Sequence, residues 1–303
     1  MSAISETAEK LHENLYGKKN DDIILDAVMS NNLQNRIAIA QYYRATYDTS
    51  LFEDIKSKKS GDFGYCAAQM FLSPLEFCIY HLKIGIAKGN ECTMEMLTSK
   101  TTDELKIIED AYNKETQKDL KNDIQNAYKG AIGKNILNLF TTKRKSNSKP
   151  QKSECQKYAA KLSENNKDPM KWVEDEKLFK EIFIERSPEE LILIARYYLK
   201  TTGNNLIDVI EKKTKGNSKI LLKEILYNNI MPHELFAEKI HSAIKGAGTD
   251  EEVLTRALVS RCELDMAAMR DIYQTKYKVS MKEEIIDDTS SSYQKICVYL
   301  SEK

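Results

Sequence analysis

The chain has 303 residues, enough to bury a large core, and its 46 basic and 46 acidic residues cancel to zero formal charge. That balance predicts no polyanion partner, so no nucleic-acid binding is expected and any basic surface must be local. The polar opening MSAISETAEK lacks the apolar stretch of a signal peptide, and no run approaches the roughly 18 apolar residues of a membrane span, so a soluble, cytoplasmic chain is expected.

With 5 prolines and 11 glycines, helices should dominate and strands should be absent. One spacing then recurs along the chain. A tyrosine is followed eight residues on by Leu or Met, and four further by Ile: Tyr43–Leu51–Ile55, Tyr112–Leu120–Ile124, Tyr198–Leu206–Ile210 and Tyr273–Met281–Ile285. Four residues before each tyrosine stands Ile39, Ile108, Ile194 or Met269. Steps of four lie on one helix face, and a period of roughly seventy or more residues exceeds that of two-helix solenoids. The fold class is therefore all-α, with four homologous repeats of four or five helices.

The repeats are placed at 4–73, 74–140, 155–231 and 232–303. Pro74 and Pro232 stand where helices begin, and Ser187-Pro188-Glu189-Glu190 reads as a cap, a proline and an acidic first turn. The segment 141–154 between the second and third repeats holds Lys143, Arg144, Lys145, Lys149 and Lys152. It reads as a linker between two pairs of repeats, either a solvated hinge or a basic tether for anionic lipid. Trp172, the lone tryptophan, is either partly core or an interfacial ring. The six cysteines show no CxxC spacing and read as reduced core residues. The histidines do not cluster with other metal ligands, so zinc is not expected; His81 and His241 should face solvent or pack at a helix edge.

The fourth repeat carries the most specific string, Ile244-Lys245-Gly246-Ala247-Gly248-Thr249-Asp250-Glu251-Glu252. Alternate glycines can end a helix with backbone angles that a Cβ resists, and Thr249 with Glu252 offers a capping box for the next helix. A tight loop of this kind can turn several carbonyl oxygens toward one point. Ca²⁺ takes six to eight oxygens, usually with a carboxylate among them. Three residues past the repeated Ile the column reads Lys58, Ala127, Lys213 and Asp288, so the glycine pair and the acid coincide once.

KGAGTDEE, followed by LTRALVSRCELDM and IIDDTSSSYQKICVYL, resembles the signature and closing helices of an annexin fourth repeat. KWVEDEKLFKEIFIERS is similar to the third-repeat loop, with Val173 where glycine would stand. The first loop, Tyr16-Gly17-Lys18-Lys19-Asn20-Asp21, and the second, Ala87-Lys88-Gly89-Asn90-Glu91, are degraded further. Such divergence resembles protist annexins, the alpha-giardins among them. The resemblance implies a curved disc of four five-helix repeats that meets anionic phospholipid through Ca²⁺, peripherally at the inner face of the plasma membrane. It implies that the carbonyls of Ile244, Gly246 and Gly248 and both oxygens of Asp288 ligate one ion.

Lys58 and Lys213 then occupy acid positions, either through drift or as ammonium groups that touch lipid phosphate in place of the ion. Asp62 and Asp287 are candidates for minor sites. Arg186 and Arg261 should form ion pairs within their repeats. No P-loop, dinucleotide fingerprint or HExxH string is found, so no enzyme is expected. The runner-up reading is a structural protein of the cytoskeleton or membrane skeleton, such as a microtubule-associated one, with calcium secondary.

Overall fold

The computed structural model describes residues 2–145, 149–246 and 248–303. Every regular element among them is helical. In chain order they are α1 (Ala3–Tyr16), α2 (Asp21–Met29), α3 (Leu33–Tyr47), α4 (Leu51–Lys58) and α5 (Gly61–Gln69), then α6 (Pro74–Lys88), α7 (Glu91–Thr98), α8 (Thr102–Thr116), α9 (Leu120–Ala127) and α10 (Ala131–Thr141). The third set is α11 (Lys152–Glu164), α12 (Met170–Glu174), α13 (Glu176–Phe179) running into a π-helical turn over Lys180–Ile184, α14 (Pro188–Thr202), α15 (Leu206–Lys213) and α16 (Gly216–Ile230). The last is α17 (Pro232–Ile244), α18 (Glu251–Arg261), α19 (Met266–Tyr277), α20 (Met281–Asp288) and α21 (Ser291–Ser301).

The recurring tyrosine organises each set. Tyr43, Tyr112, Tyr198 and Tyr273 are buried, as are the Leu or Met and the Ile that follow them. A phenol taken from water needs a partner for its hydroxyl. In three sets that partner is the acid one residue before the repeated Ile: Asp54 at 2.7 Å from Tyr43, Asp123 at 2.9 Å from Tyr112, and Glu284 bonded to Tyr273. In the third set Val209 stands at that place, and the Tyr198 hydroxyl turns to Asn166 Oδ1 at 2.6 Å. Five residues past each tyrosine the helix ends in the left-handed region, at Asp48, Gln117, Gly203 and Lys278. Glycine relieves the backbone penalty at one of the four.

The chain forms two compact units, one of Met1–Phe77 with His233–Lys303 and one of Cys78–Pro232. In the first, α5 packs on α21, and Arg36 reaches Glu263 Oε1 at 2.8 Å and the Met70 carbonyl at 2.8 Å. Lys295 pairs with Asp22 at 3.2 Å, and the Tyr299 hydroxyl donates to the Met29 carbonyl at 2.8 Å. In the second, α11 lies along α14 and α7 along α16. Ser187 and Glu190 make the reciprocal cap at the start of α14, at 3.2 and 3.1 Å.

The basic segment lies within the second unit. Arg144 donates to the carbonyls of Arg186 at 2.6 Å and Phe183 at 3.0 Å, and burial lowers its guanidinium to about 10. The Lys145 amide donates to the Glu185 carbonyl at 2.8 Å. Its first half is thus docked rather than solvated, because the guanidinium fork satisfies carbonyls that would otherwise lack donors. Ser146, Asn147 and Ser148 lie outside the described residues. His81 likewise departs from expectation: it is fully buried rather than at an edge, set edge-on to Tyr80 with ring centroids 5.1 Å apart.

All six cysteines are buried as free thiols. Burial pushes Cys78 up to about 11 and Cys262 up to about 12, which withholds the reactive thiolate. A thiol reagent at pH 8 is expected to leave the native chain largely unmodified and to count six thiols after denaturation. Rapid reaction of several thiols in native buffer would contradict this packing.

Candidate metal centre

Helix α17 ends at Ile244, whose buried side chain anchors the start of the glycine loop. Gly246 and Gly248 have φ of 127° and 105°, which side chains with a Cβ rarely adopt. A Cβ at either would meet nothing within 4 Å, so the requirement for glycine is conformational and space stays open beside the backbone. The Asp250 amide closes the loop on the Ala243 carbonyl at 2.7 Å. Ala247 lies outside the described residues.

The sequence predicted Thr249 as the cap of the following helix, with Glu252 completing the box. Instead, Asp250 is the cap: its Oδ1 accepts from the Val253 amide at 3.0 Å. Thr249 has another partner. Its hydroxyl lies 2.6 Å from Asp288 Oδ2 and 3.0 Å from the Asp288 carbonyl, at the end of α20. A hydroxyl bonded to a carboxylate forms a strong, charge-assisted contact, and this outweighs a cap that Asp250 can supply. The glycine loop and the half-buried acid are therefore brought together within the first unit.

Among the described residues no hydrogen bond falls on the carbonyls of Ile244, Gly246 or Gly248. No group of three or more His, Cys, Asp or Glu among those residues could hold a metal, so a cation here must draw on backbone oxygens. Loop carbonyls together with the Asp288 carboxylate would make a hard, all-oxygen donor set of the kind that suits Ca²⁺, with coordination positions left for outside oxygens. Beside the loop Asp62, Tyr65, Thr249, Asp250, Glu251 and Glu252 line an open cleft of about 530 Å³, whose carboxylates favour an approaching cation.

A second tie joins α17 to α20. His241 Nδ1 lies 3.0 Å from both the Tyr273 hydroxyl and Glu284 Oε2, and its ring stacks on Tyr277 at 3.6 Å. The first repeat repeats the arrangement, with His12 Nδ1 at 3.1 Å from the Tyr43 hydroxyl and stacked on Tyr47 at 3.7 Å. Sequence reasoning missed this brace. The similar spacing of His12 to Tyr43 and His241 to Tyr273 carried the signal.

The other three loops are closed by donors of the chain itself. In the first, the Lys59 ammonium donates to the Lys19 carbonyl and pairs with Asp21, while Lys58 lies over the Tyr16 ring at 3.8 Å. In the second, the Tyr128 hydroxyl lies 2.6 Å from the Asn90 carbonyl and 3.1 Å from that of Gly85. Burial pushes that hydroxyl up to about 12, so it remains a donor at neutral pH. In the third, Lys213 Nζ donates to the Asn166 carbonyl at 2.8 Å.

Trp172, beside that third loop, is fully buried. Its Nε1 donates to the Leu162 carbonyl at 3.1 Å, and its ring meets Tyr198 edge-on at 5.9 Å. Of the two sequence readings the core one describes it. Its emission is expected to be blue-shifted in buffer and unmoved by anionic vesicles with Ca²⁺; a lipid-dependent blue shift would contradict the buried position. Arg186 is buried, 3.2 Å from Glu185 and 3.5 Å from Glu154, and Arg261 pairs with Asp265.

A family profile described as Annexin matches residues 85–139, 166–225 and 235–300. Mouse annexin A6 is 31% identical over 301 residues, which is 98% of this chain but 44% of that relative, so the chain spans less than half of its length. Mouse annexin A3 is 30% identical over 299 residues, covering 96% of this chain and 92% of its own. Among solved structures, chicken annexin V matches with a TM-score of 0.89 at 26% identity, over 100% of this chain and 96% of that one. The calcium-bound structure of alpha-14 giardin covers 99% of this chain and 100% of its own, with a TM-score of 0.79. At 16% identity that is a likeness of fold alone.

Proposed function

Because the chain belongs to the annexin family, whose members bind phospholipid in a Ca²⁺-dependent manner, we propose that it binds anionic membranes peripherally through one principal Ca²⁺ site in its fourth repeat. The observation that carries this reading is the contact between the glycine loop and Asp288: Thr249, directly after the two positive-φ glycines, bonds the Asp288 carboxylate at 2.6 Å. Ile244, Gly246, Gly248 and Asp288 would hold the ion. When bound, Ca²⁺ supplies a divalent centre that accepts further oxygens, including those of a lipid phosphate.

The chain's own residues do the rest. Thr249 holds Asp288 toward the loop, the two glycines give the loop the positive φ that a Cβ resists, and the His241–Glu284 contact ties together the helices that carry both halves. Neither protein nor lipid supplies enough oxygens alone, so affinity for each depends on the other. No helix among the described residues is long and apolar enough to cross a membrane. No catalytic role is proposed.

Sedimentation with vesicles of phosphatidylserine and phosphatidylcholine tests the reading. The chain is expected to pellet in Ca²⁺ and to be released, in large part, by chelator. Equal pelleting under both conditions would remove calcium dependence, and co-sedimentation with microtubules alone would favour a cytoskeletal role.

A further inference from the structure

The donors that close the first three loops come from one place in the repeat, three or four residues past the repeated Ile: Lys59, Tyr128 and Lys213. Each occupies a loop carbonyl in a repeat that lacks the acid of the fourth. They differ in what they have left to give. The Tyr128 hydroxyl has one proton, already directed at Asn90, and the residue is buried. The Lys59 ammonium is spent on the Lys19 carbonyl and neutralised by Asp21, with its side chain 11% exposed.

Lys213 is exposed, and among the described residues its ammonium has the Asn166 carbonyl as its one partner. An ammonium carries three donors, so two remain directed to solvent. The anchor is itself tied down at two points: Asn166 Oδ1 accepts from Tyr198 at 2.6 Å, and its backbone amide donates to the Ser163 carbonyl at 3.2 Å. Lys167, Lys171 and Lys215 flank it, all exposed and without a carboxylate partner among the described residues; Asp168 is the acid between the first two.

We propose that Lys213 is the built-in cation of the third repeat, fixed on the Asn166 carbonyl and binding a phosphate oxygen through its free N–H groups without calcium. A divalent ion in such a loop would join a protein carbonyl to an anionic oxygen, and a monovalent ammonium can make the same bridge by hydrogen bonds. The charge is smaller, so the contact should be weak and steeply dependent on salt. Among the three donors that close these loops, Lys213 is the one that keeps both an unpaired charge and unspent N–H groups among the described residues. The inference does not require the fourth-repeat site.

The test uses the full chain in chelator at low salt, with Asp288→Ala in the background so that calcium plays no part. Binding to phosphatidylserine vesicles is expected to fall about fivefold in Lys213→Met, the effect of one lysine at an anionic surface. Lys213→Arg should largely retain it, while Lys59→Met and Tyr128→Phe should leave it unchanged. Titration with inorganic phosphate, followed by amide shifts around Lys213, separates the sources. Phosphate-dependent shifts lost in Lys213→Met, without vesicle binding, would support the same site with a soluble ligand. If wild type and Lys213→Met bind vesicles equally and neither responds to phosphate, the proposal is overturned.

Discussion

Replacing Asp288 by alanine is expected to abolish Ca²⁺-dependent vesicle binding in the accessible calcium range while leaving the helical content intact. The carboxylate supplies the only formal negative charge among the four proposed ligating residues, and three neutral carbonyls alone hold a hard divalent cation poorly. Asp288 lies half-buried at the end of α20, so its loss removes no core contact. Thr249→Val gives a graded companion. It removes the hydroxyl 2.6 Å from Asp288 Oδ2 but keeps the side-chain volume. A partner one step outside the metal is worth about 10–100-fold in affinity, so half-maximal binding should move to higher calcium by that factor. Calorimetric titration with Ca²⁺ in the presence of vesicles measures both variants. An unchanged calcium requirement in Asp288→Ala would sink the assigned site.

Trp172→Ala is expected to cost about 3–5 kcal/mol of stability, as large aromatic truncations in a closed core do. The indole is fully buried against Tyr198 and Phe183 and also satisfies the Leu162 carbonyl. Trp172→Phe separates the two contributions. It keeps an aromatic ring but removes the indole N–H bond to that carbonyl, which retains the Asn165 amide as a donor at 3.2 Å, so the loss is the net worth of one hydrogen bond, about 0.5–1.5 kcal/mol, together with whatever gap the smaller ring leaves. Urea unfolding followed by circular dichroism should place the midpoints in the order wild type, Trp172→Phe, Trp172→Ala. Coincident midpoints would mean that the indole is not part of the closed core.

The four-fold repeat was legible because its period is written in large apolar residues, Tyr, Leu or Met, and Ile, whose burial leaves few substitutes. The glycine loop was legible for a related reason. Positive φ at Gly246 and Gly248 restricts residue choice, so geometry leaves a mark in composition. Thr249 was misassigned because threonine caps helices and bonds carboxylates equally well. Its choice depended on Asp288, thirty-nine residues away, and on Asp250 taking the cap.

Lys213 stood out in the sequence as a lysine at an acid position, but that it, Lys59 and Tyr128 close the first three loops was not legible, for a different reason. Their acceptors are backbone carbonyls, which every residue possesses, so sequence does not distinguish the chosen one. Trp172 remained undecided because an indole serves core and interface alike; the carbonyl of Leu162 settles the matter in space.

The pairing of the first repeat with the fourth has a bearing on synthesis. Residues 78–232 form a continuous unit and can collapse once they have left the ribosome. The opening segment has no such freedom. Arg36 needs Glu263, Asp22 needs Lys295, and the Met29 carbonyl needs Tyr299, partners 227, 273 and 270 residues further along the chain. Joining partners this far apart adds loop-closure entropy and slows the search, and it leaves the apolar faces of α2 and α5 uncovered meanwhile. During that interval those faces are open to aggregation, and a chain cut before residue 233 is expected to hold a folded middle with an unfinished first segment.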